Sequence, residues 1–345
     1  MKKKILVTGG TGYIGSHTAV ELINEGFDVV IIDNLYNSEK EVIEGIENIS
    51  GHKPVLEIFD ICDREKLDGF FSRNKDIAAI IHFAAYKAVS ESVSKPLDYY
   101  RNNLGSLINL LDSMKKYRIA NLVFSSSCTV YGQPEVLPVT ENAPLQPATS
   151  PYGNTKAVGE EIIRDTVFSD NNLRAIALRY FNPIGAHPTA LIGELPRGVP
   201  ENLVPYITQT AYGLRDELKV YGNDYDTPDG YCIRDYLHVV DLAKAHVVAV
   251  KRLVEEKNKA GYEVFNLGTG NGVSVIEAIR SFERVSGVKL RYKVVGRRPG
   301  DIEKIWADPS YANSELGWKT MSTLDEAMKS AWDWEKYIRT KSKTK

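Results

Sequence analysis

Lys4-Ile5-Leu6-Val7-Thr8-Gly9-Gly10-Thr11-Gly12-Tyr13-Ile14-Gly15 is the stretch on which the reading of this chain turns. A short apolar run ends at Thr8, and a helical pattern runs from Tyr13 to Glu25, with Gly26 as its C-cap. Between them the glycines fit Gly-x-Gly-x-x-Gly from Gly10 and Gly-x-x-Gly-x-x-Gly from Gly9. Without Cβ atoms the backbone can turn tightly and lie against a pyrophosphate at the helix N-terminus. Strand, glycine turn and helix in that order predict a dinucleotide site. A P-loop is excluded, since no Gly-Lys-Ser/Thr closes the turn.

The pattern repeats beyond this unit. Strands are predicted at Lys4–Thr8, Asp28–Asp33, Val55–Phe59, Ile77–Ala84, Asn121–Ser125 and Arg174–Arg179. Helices are predicted at Tyr13–Glu25, Asp63–Arg73, Leu97–Tyr117 and Tyr152–Phe168. Continuous apolar strands alternating with helices mean a parallel sheet covered on both faces, an α/β fold of the doubly wound, Rossmann type. After Asn182 the pattern changes, and Pro183 to Pro205 reads as irregular structure. Strands at Lys219–Tyr221, Glu263–Asn266 and Arg291–Val295 then mix with helices at Asp241–Val254, Val275–Val285 and Leu324–Ile338. We therefore expect a dinucleotide-binding domain at 1–182 and a smaller mixed α/β lobe at 183–345, some of it packing back on the first. Arg339–Lys345 reads as a frayed basic tail.

Composition narrows the function. The 345 residues are 43% hydrophobic and 26% charged, as in ordinary globular proteins. A net charge of −2 argues against nonspecific nucleic-acid binding. Cys62, Cys128 and Cys232 are odd in number and widely spaced, as reduced thiols are. Met1-Lys2-Lys3-Lys4 is followed by only three apolar residues before Thr8, too few for a signal-peptide core. A soluble, cytoplasmic protein without a membrane partner is expected. His17, His52, His82, His187, His238 and His246 show no metal-ligand spacing and form no triad, so no metal is expected.

Polar residues gather at the carboxyl ends of the predicted strands, where doubly wound sheets bind ligands. Asp33 closes the second strand eighteen residues after Gly15, placed to accept hydrogen bonds from an adenosine ribose. Its charge would repel a 2′-phosphate, and Asn34-Leu35-Tyr36 brings no arginine, so NAD is favoured over NADP. Asp60-Ile61 could hold the adenine edge, and Phe83-Ala84-Ala85-Tyr86-Lys87 lets a cofactor lie close. Ser125-Ser126-Ser127 ends the fifth strand, and nothing local says which serine matters. Tyr152 and Lys156, four apart, share one face of a helix begun by Ser150-Pro151. A nearby ammonium and the positive helix end would both favour the phenolate. Arg234, Arg297 and Arg298 are suited to phosphate contacts, or are surface residues.

Taken together, the chain resembles the extended short-chain dehydrogenase/reductase family nearly end to end. The resemblance rests on Val7–His17, Asp33-Asn34-Leu35, Lys87–Val93, Ser150-Pro151-Tyr152-Gly153, Arg179-Tyr180-Phe181-Asn182-Pro183, Gly222–Tyr225, Arg234–Val239 and Arg298-Pro299-Gly300-Asp301. It implies Ser127, Tyr152 and Lys156 as catalytic residues, with Lys156 lowering the Tyr152 pKa. For NAD it implies Gly9, Gly12, Tyr13, Ile14, Gly15, Asp33, Asn34, Leu35, Tyr36, Asn37, Ser38, Asp60, Ile61, Phe83, Ala84, Ala85, Tyr86, Lys87, Asn102, Tyr152, Lys156 and Phe181. For a UDP-hexose it implies Lys87, Ser127, Tyr152, Asn182, Asn202, Leu203, Lys219, Val220, Tyr221, Arg234, Arg298, Asp301 and Ile305. The implied reaction is NAD-dependent inversion at C4 through a 4-keto sugar, in a homodimer joined by Leu97–Tyr117 and Tyr152–Phe168. Dehydratases of the family carry an Asp-Glu pair where this chain has Cys128-Thr129. Members restricted to unsubstituted hexoses carry a tyrosine where this chain has Ile305. N-acetylhexosamine substrates are therefore expected as well.

Overall fold

A computed structural model describes residues 2–298 and 301–342, so Met1, Pro299, Gly300 and residues 343–345 lie outside it. Seven parallel strands form the central sheet: β1 (Lys4–Thr8), β2 (Asp28–Asp33), β3 (Val55–Ile58), β4 (Ile77–His82), β5 (Asn121–Ser127), β6 (Arg174–Tyr180) and β11 (Tyr262–Leu267). Their order is β11-β6-β5-β4-β1-β2-β3. The chain thus runs outward through β2 and β3, then crosses to the other side of β1, which makes β1 and β4 the switch point. Val7 faces Ile31 on one side and Ile81 on the other.

Pleating sends alternate side chains to opposite faces. Ile5 and Val7 join Val20, Ile81, Leu242 and Leu253 on one face. Leu6 joins Phe70, Phe71, Leu110, Met114 and Ile163 on the other. The covering helices are α1 (Tyr13–Asn24), α2 (Val42–Ser50), α3 (Arg64–Arg73), α4 (Val89–Ser94), α5 (Pro96–Tyr117), α6 (Pro151–Ser169) and α8 (Val239–Val254). The short helices α2 and α4 escape the sequence reading; both begin without a side-chain cap to announce them.

The remaining elements are β7 (Asn182–Ile184), α7 (Leu203–Ala211), β8 (Leu218–Tyr221), β9 (Ile233–Arg234), β10 (Tyr236–His238), β12 (Val273–Ser274), α9 (Val275–Ser286), β13 (Tyr292–Val295) and α10 (Leu324–Ser342). They pair in twos: β7 with β10, β8 with β13, β9 with β12. Ile207, Val220, Phe282 and Met328 fill the lobe they enclose. Two sequence expectations change, at Pro183–Pro205 and at the C-terminal tail, and β11 and α8 are the segments that pack back on the first half as expected. Pro183–Pro205 includes most of β7 and the start of α7. The strand expected at Glu263–Asn266 is β11, hydrogen-bonded to β6 at the edge of the main sheet. Helix α8 likewise packs on that sheet. Residues 339–342 continue α10 instead of fraying. Among the described residues, no helix is long and apolar enough to cross a membrane.

Candidate functional site

The glycine turn sits at the switch point as β1 gives way to α1. Gly9 takes φ +71°, and a Cβ there would lie 2.8 Å from the Ala84 nitrogen. A Cβ on Gly15 would lie 2.3 Å from the Gly9 carbonyl. The ends of β1 and β4 can therefore close on each other only with glycine in the turn. Asp63, Ser150 and Ser274 cap α3, α6 and α9, but no side chain caps α1. Its first-turn N–H groups are left for an acceptor such as a phosphate, so the turn fits a dinucleotide.

The neighbouring strand ends line the same crevice. Asp33, 8% exposed, accepts hydrogen bonds from Thr11 N (3.1 Å), Leu35 N (2.9 Å) and Ser38 Oγ (3.2 Å). Asn34 donates to Asp60 at 3.1 Å, joining the ends of β2 and β3. Tyr36 and Tyr86 meet with ring centroids 4.8 Å apart. Asn103, which the sequence reading missed, holds the end of β4: its amide accepts from Tyr86 N (2.8 Å) and donates to Tyr86 O and Thr155 Oγ1 (both 3.0 Å). Asn102 donates to Asn103. The side chains of Ile61 and Phe181 face the core; the Ile61 carbonyl accepts from Asn109, and Phe181 N donates to the Leu267 carbonyl.

Local geometry sorts the three serines. Ser125 pairs with Tyr180 at 2.6 Å, and Ser126 donates to the buried Glu160. Glu160 in turn holds Arg179 in a buried ion pair. Ser127 Oγ accepts from Thr129 N at 3.2 Å, and its hydroxyl lies close enough to Tyr152 to pull the phenol pKa down. Burial outweighs that pull and raises the phenol well above its ordinary value. Lys156 lies beside Tyr152 as its spacing predicts, but its hydrogen bond goes elsewhere. Its Nζ donates to the Ser125 carbonyl at 2.6 Å and stands 5.9 Å from the Tyr152 ring centroid. Burial lowers the Lys156 pKa to about 8, partly opposed by Glu160. The lysine is thus a buried cation beside the phenol, whose pKa burial holds up.

Across the crevice, segments distant in sequence assemble a polar wall. Arg298 binds Asp301 through Nε (3.1 Å) and Nη2 (2.6 Å) and lies 5.5 Å from the Tyr221 ring centroid. Arg234 bonds the Ile233 carbonyl, and Ile305 N bonds the same carbonyl at 3.1 Å. Arg297 departs from the phosphate reading, since its guanidinium pairs with Asp224. Lys219 and Tyr221 point outward from β8, while Val220, 1% exposed, points into the lobe core and offers only its backbone. Asn202 donates to Glu194 at 2.7 Å. The Asn182 side-chain oxygen, at the start of β7 just past the end of β6, is buried without a protein partner and is free to accept from a ligand donor. Ile305 is 2% exposed and packs with Cys128 and Phe181 instead of forming an open wall. A further residue missed in the sequence is Asp235, fully buried, which accepts from Thr269, Gly270 and Ala307 and so fixes the segment leading to Ile305. Among the described residues, no cluster of three or more His, Cys, Asp or Glu side chains could hold a metal.

Comparison with known proteins agrees with this geometry. The family model described as GDP-mannose 4,6 dehydratase matches residues 6–331. A UDP-glucose 4-epimerase from Bacillus subtilis is 50% identical over 331 residues, 96% of each chain. The crystal structure of a Stenotrophomonas maltophila UDP-glucose-4-epimerase with bound NAD and formylated UDP-arabinopyranose superposes with a TM-score of 0.95 at 45% identity, covering 98% of this chain and 99% of that one. The UDP-Glc/GlcNAc 4-epimerase of Campylobacter jejuni superposes with a TM-score of 0.84 at 36% identity, covering 97% and 99%. With half its residues shared along nearly the whole length, the chain belongs to the UDP-glucose 4-epimerase family of extended short-chain dehydrogenases/reductases.

Proposed function

We propose that this protein interconverts UDP-glucose and UDP-galactose by inverting C4 through a 4-keto sugar, with NAD in the glycine crevice. The observation that carries the reading is the gathering of Ser127 at the end of β5 with Tyr152 and the buried Lys156, whose ammonium stands 5.9 Å from the phenol ring centroid. Bound NAD would supply the hydride acceptor and donor for C4, and a positive charge beside the phenol. Tyr152 takes the proton from the 4-hydroxyl oxygen and later returns it, with Ser127 as the bridge. Because burial holds the phenol up, Tyr152 becomes a base only when positive charge gathers beside it. Lys156 supplies part of that charge and holds the nicotinamide ribose. Arg234, Arg298, Asp301, Asn182, Asn202, Leu203 and the β8 residues hold the UDP, so the freed keto sugar can present either face to the same proton shuttle. The first 182 residues, with β11 and α8, form the NAD-binding half. We infer that the protein works in the cytoplasm as a homodimer paired through α5 and α6, a reading that exposed Leu97, Ile108 and Phe168 support.

Ile305 favours a wider substrate range. An aliphatic side chain that ends inside the cluster of Cys128 and Phe181 carries no ring to project toward the sugar C2 substituent. The name of the Campylobacter enzyme shows that this fold accommodates N-acetyl sugars elsewhere. Purified protein incubated with UDP-galactose or UDP-N-acetylgalactosamine, without added NAD, should yield UDP-glucose and UDP-N-acetylglucosamine. Turnover of UDP-galactose alone would overturn the wider range. A dehydrated product, or none from either sugar even with NAD added, would overturn the epimerase reading.

A further inference from the structure

The segment Glu194–Arg197 lies between β7 and α7, yet its side chains reach the dinucleotide half. Arg197 donates to three carbonyls of one loop: Tyr36 O (2.7 Å), Ser38 O (2.9 Å) and Leu35 O (3.4 Å). That loop carries Asp33 at its root, and Leu35 in it takes φ +58°, a conformation a leucine holds only under restraint. Three residues earlier, Glu194 shares one oxygen between Lys87 Nζ (3.0 Å) and Asn202 Nδ2 (2.7 Å). The Glu194 side chain is 11% exposed. Its own carbonyl accepts the Trp334 indole N–H at 2.8 Å. A Cβ on Gly193 would lie 2.5 Å from that indole, so the segment is pressed onto α10.

Sheet order gives these contacts a meaning. Strands β4 and β2 flank β1, so Lys87 and the Leu35–Ser38 loop stand on either side of the glycine turn. A segment hooked to both crosses over that turn. We propose that Glu194 and Arg197 are positioning residues of a strap that closes over the dinucleotide and sets how fast it leaves. The proposal rests on the NAD reading above and names no catalytic role for either residue.

The test reads cofactor release and not turnover. Parent, Arg197→Ala, Arg197→Lys and Glu194→Gln proteins are saturated with NAD, freed of excess by gel filtration and sampled over time for NAD still bound. Loss of charge-assisted hydrogen bonds should speed release at least about tenfold in Arg197→Ala and in Glu194→Gln. Arg197→Lys keeps the charge and the fold, but one ammonium does not span three carbonyls, so its release should fall between parent and Arg197→Ala. Melting temperatures are recorded in parallel. Variants that melt earlier but release NAD at the parent rate well below melting would overturn the strap, because a merely structural contact behaves that way. A parent that holds no NAD at all would instead remove the cofactor reading beneath it.

Discussion

Around Ser127 and Lys156 almost every group is buried, 7% and 4% exposed, and held by neighbours on β5 and α6. Lys219, Tyr221 and Arg298 on the opposite wall are exposed or half-buried; β8 pairs with β13 from a segment more than seventy residues on, and Arg298 is held by Asp301 of its own segment. The difference suggests a division of labour. A proton shuttle needs a fixed geometry and a dry environment, which a sheet edge buried under helices provides. A grip on UDP needs exposed charge that a ligand can reach, and it tolerates rearrangement.

The largest effect should come from the buried wall. Tyr152→Phe removes the proton carrier while keeping the ring, so kcat should fall by about a thousandfold with NAD still bound. A steady-state assay beside a measurement of bound NAD checks this; near-parent kcat would erase the contrast between the walls. Acid should also act on the buried half. His17, His82 and His246 are fully buried there, and burial lowers their pKa from 6.5 to about 3, 3 and 4. Above pH 6.5 they are neutral in folded and unfolded chains alike, so their contribution to stability is complete. Below it the unfolded chain takes up protons that the folded one refuses, and stability falls by about 1.4 kcal/mol per pH unit for each histidine. Denaturant midpoints should therefore drop between pH 6.5 and 5, less steeply in His246→Gln; a flat profile would show that burial is not what sets these groups apart. The smallest effect belongs to the exposed wall. Arg298→Ala should raise KM for UDP-galactose about tenfold with kcat little changed, the loss of one charge-assisted contact made equally in ground and transition states. A fall in kcat as large as that of Tyr152→Phe would mean the two walls are not separate.

The two walls also differed in how far the sequence revealed them. The glycine turn, the strand ends and the Tyr152–Lys156 pair are local signals, since each lies within one strand–turn–helix unit. Which serine faces the phenol was not local, because Ser125 and Ser126 are turned away by Tyr180 and Glu160, partners on other elements. Asn103, Asp235, Glu194 and Arg197 escaped for the same reason: each acts on backbone or side chains that only the fold brings near, 161 residues away for Arg197 and Tyr36. The spacing of Tyr152 and Lys156 predicted a shared face and found it, but it could not report that the ammonium would turn to the Ser125 carbonyl. Likewise Ile305 was legible as a missing ring, while its burial beside Phe181 was not.

The central claim is that C4 loses and regains the same hydride within one active site. UDP-galactose carrying deuterium at C4, incubated with the protein in ordinary water, tests it directly by mass spectrometry and NMR of the product. UDP-glucose with the deuterium still at C4 is the expected product. Deuterium washed out into solvent, or moved to C6 with loss of water, would contradict it.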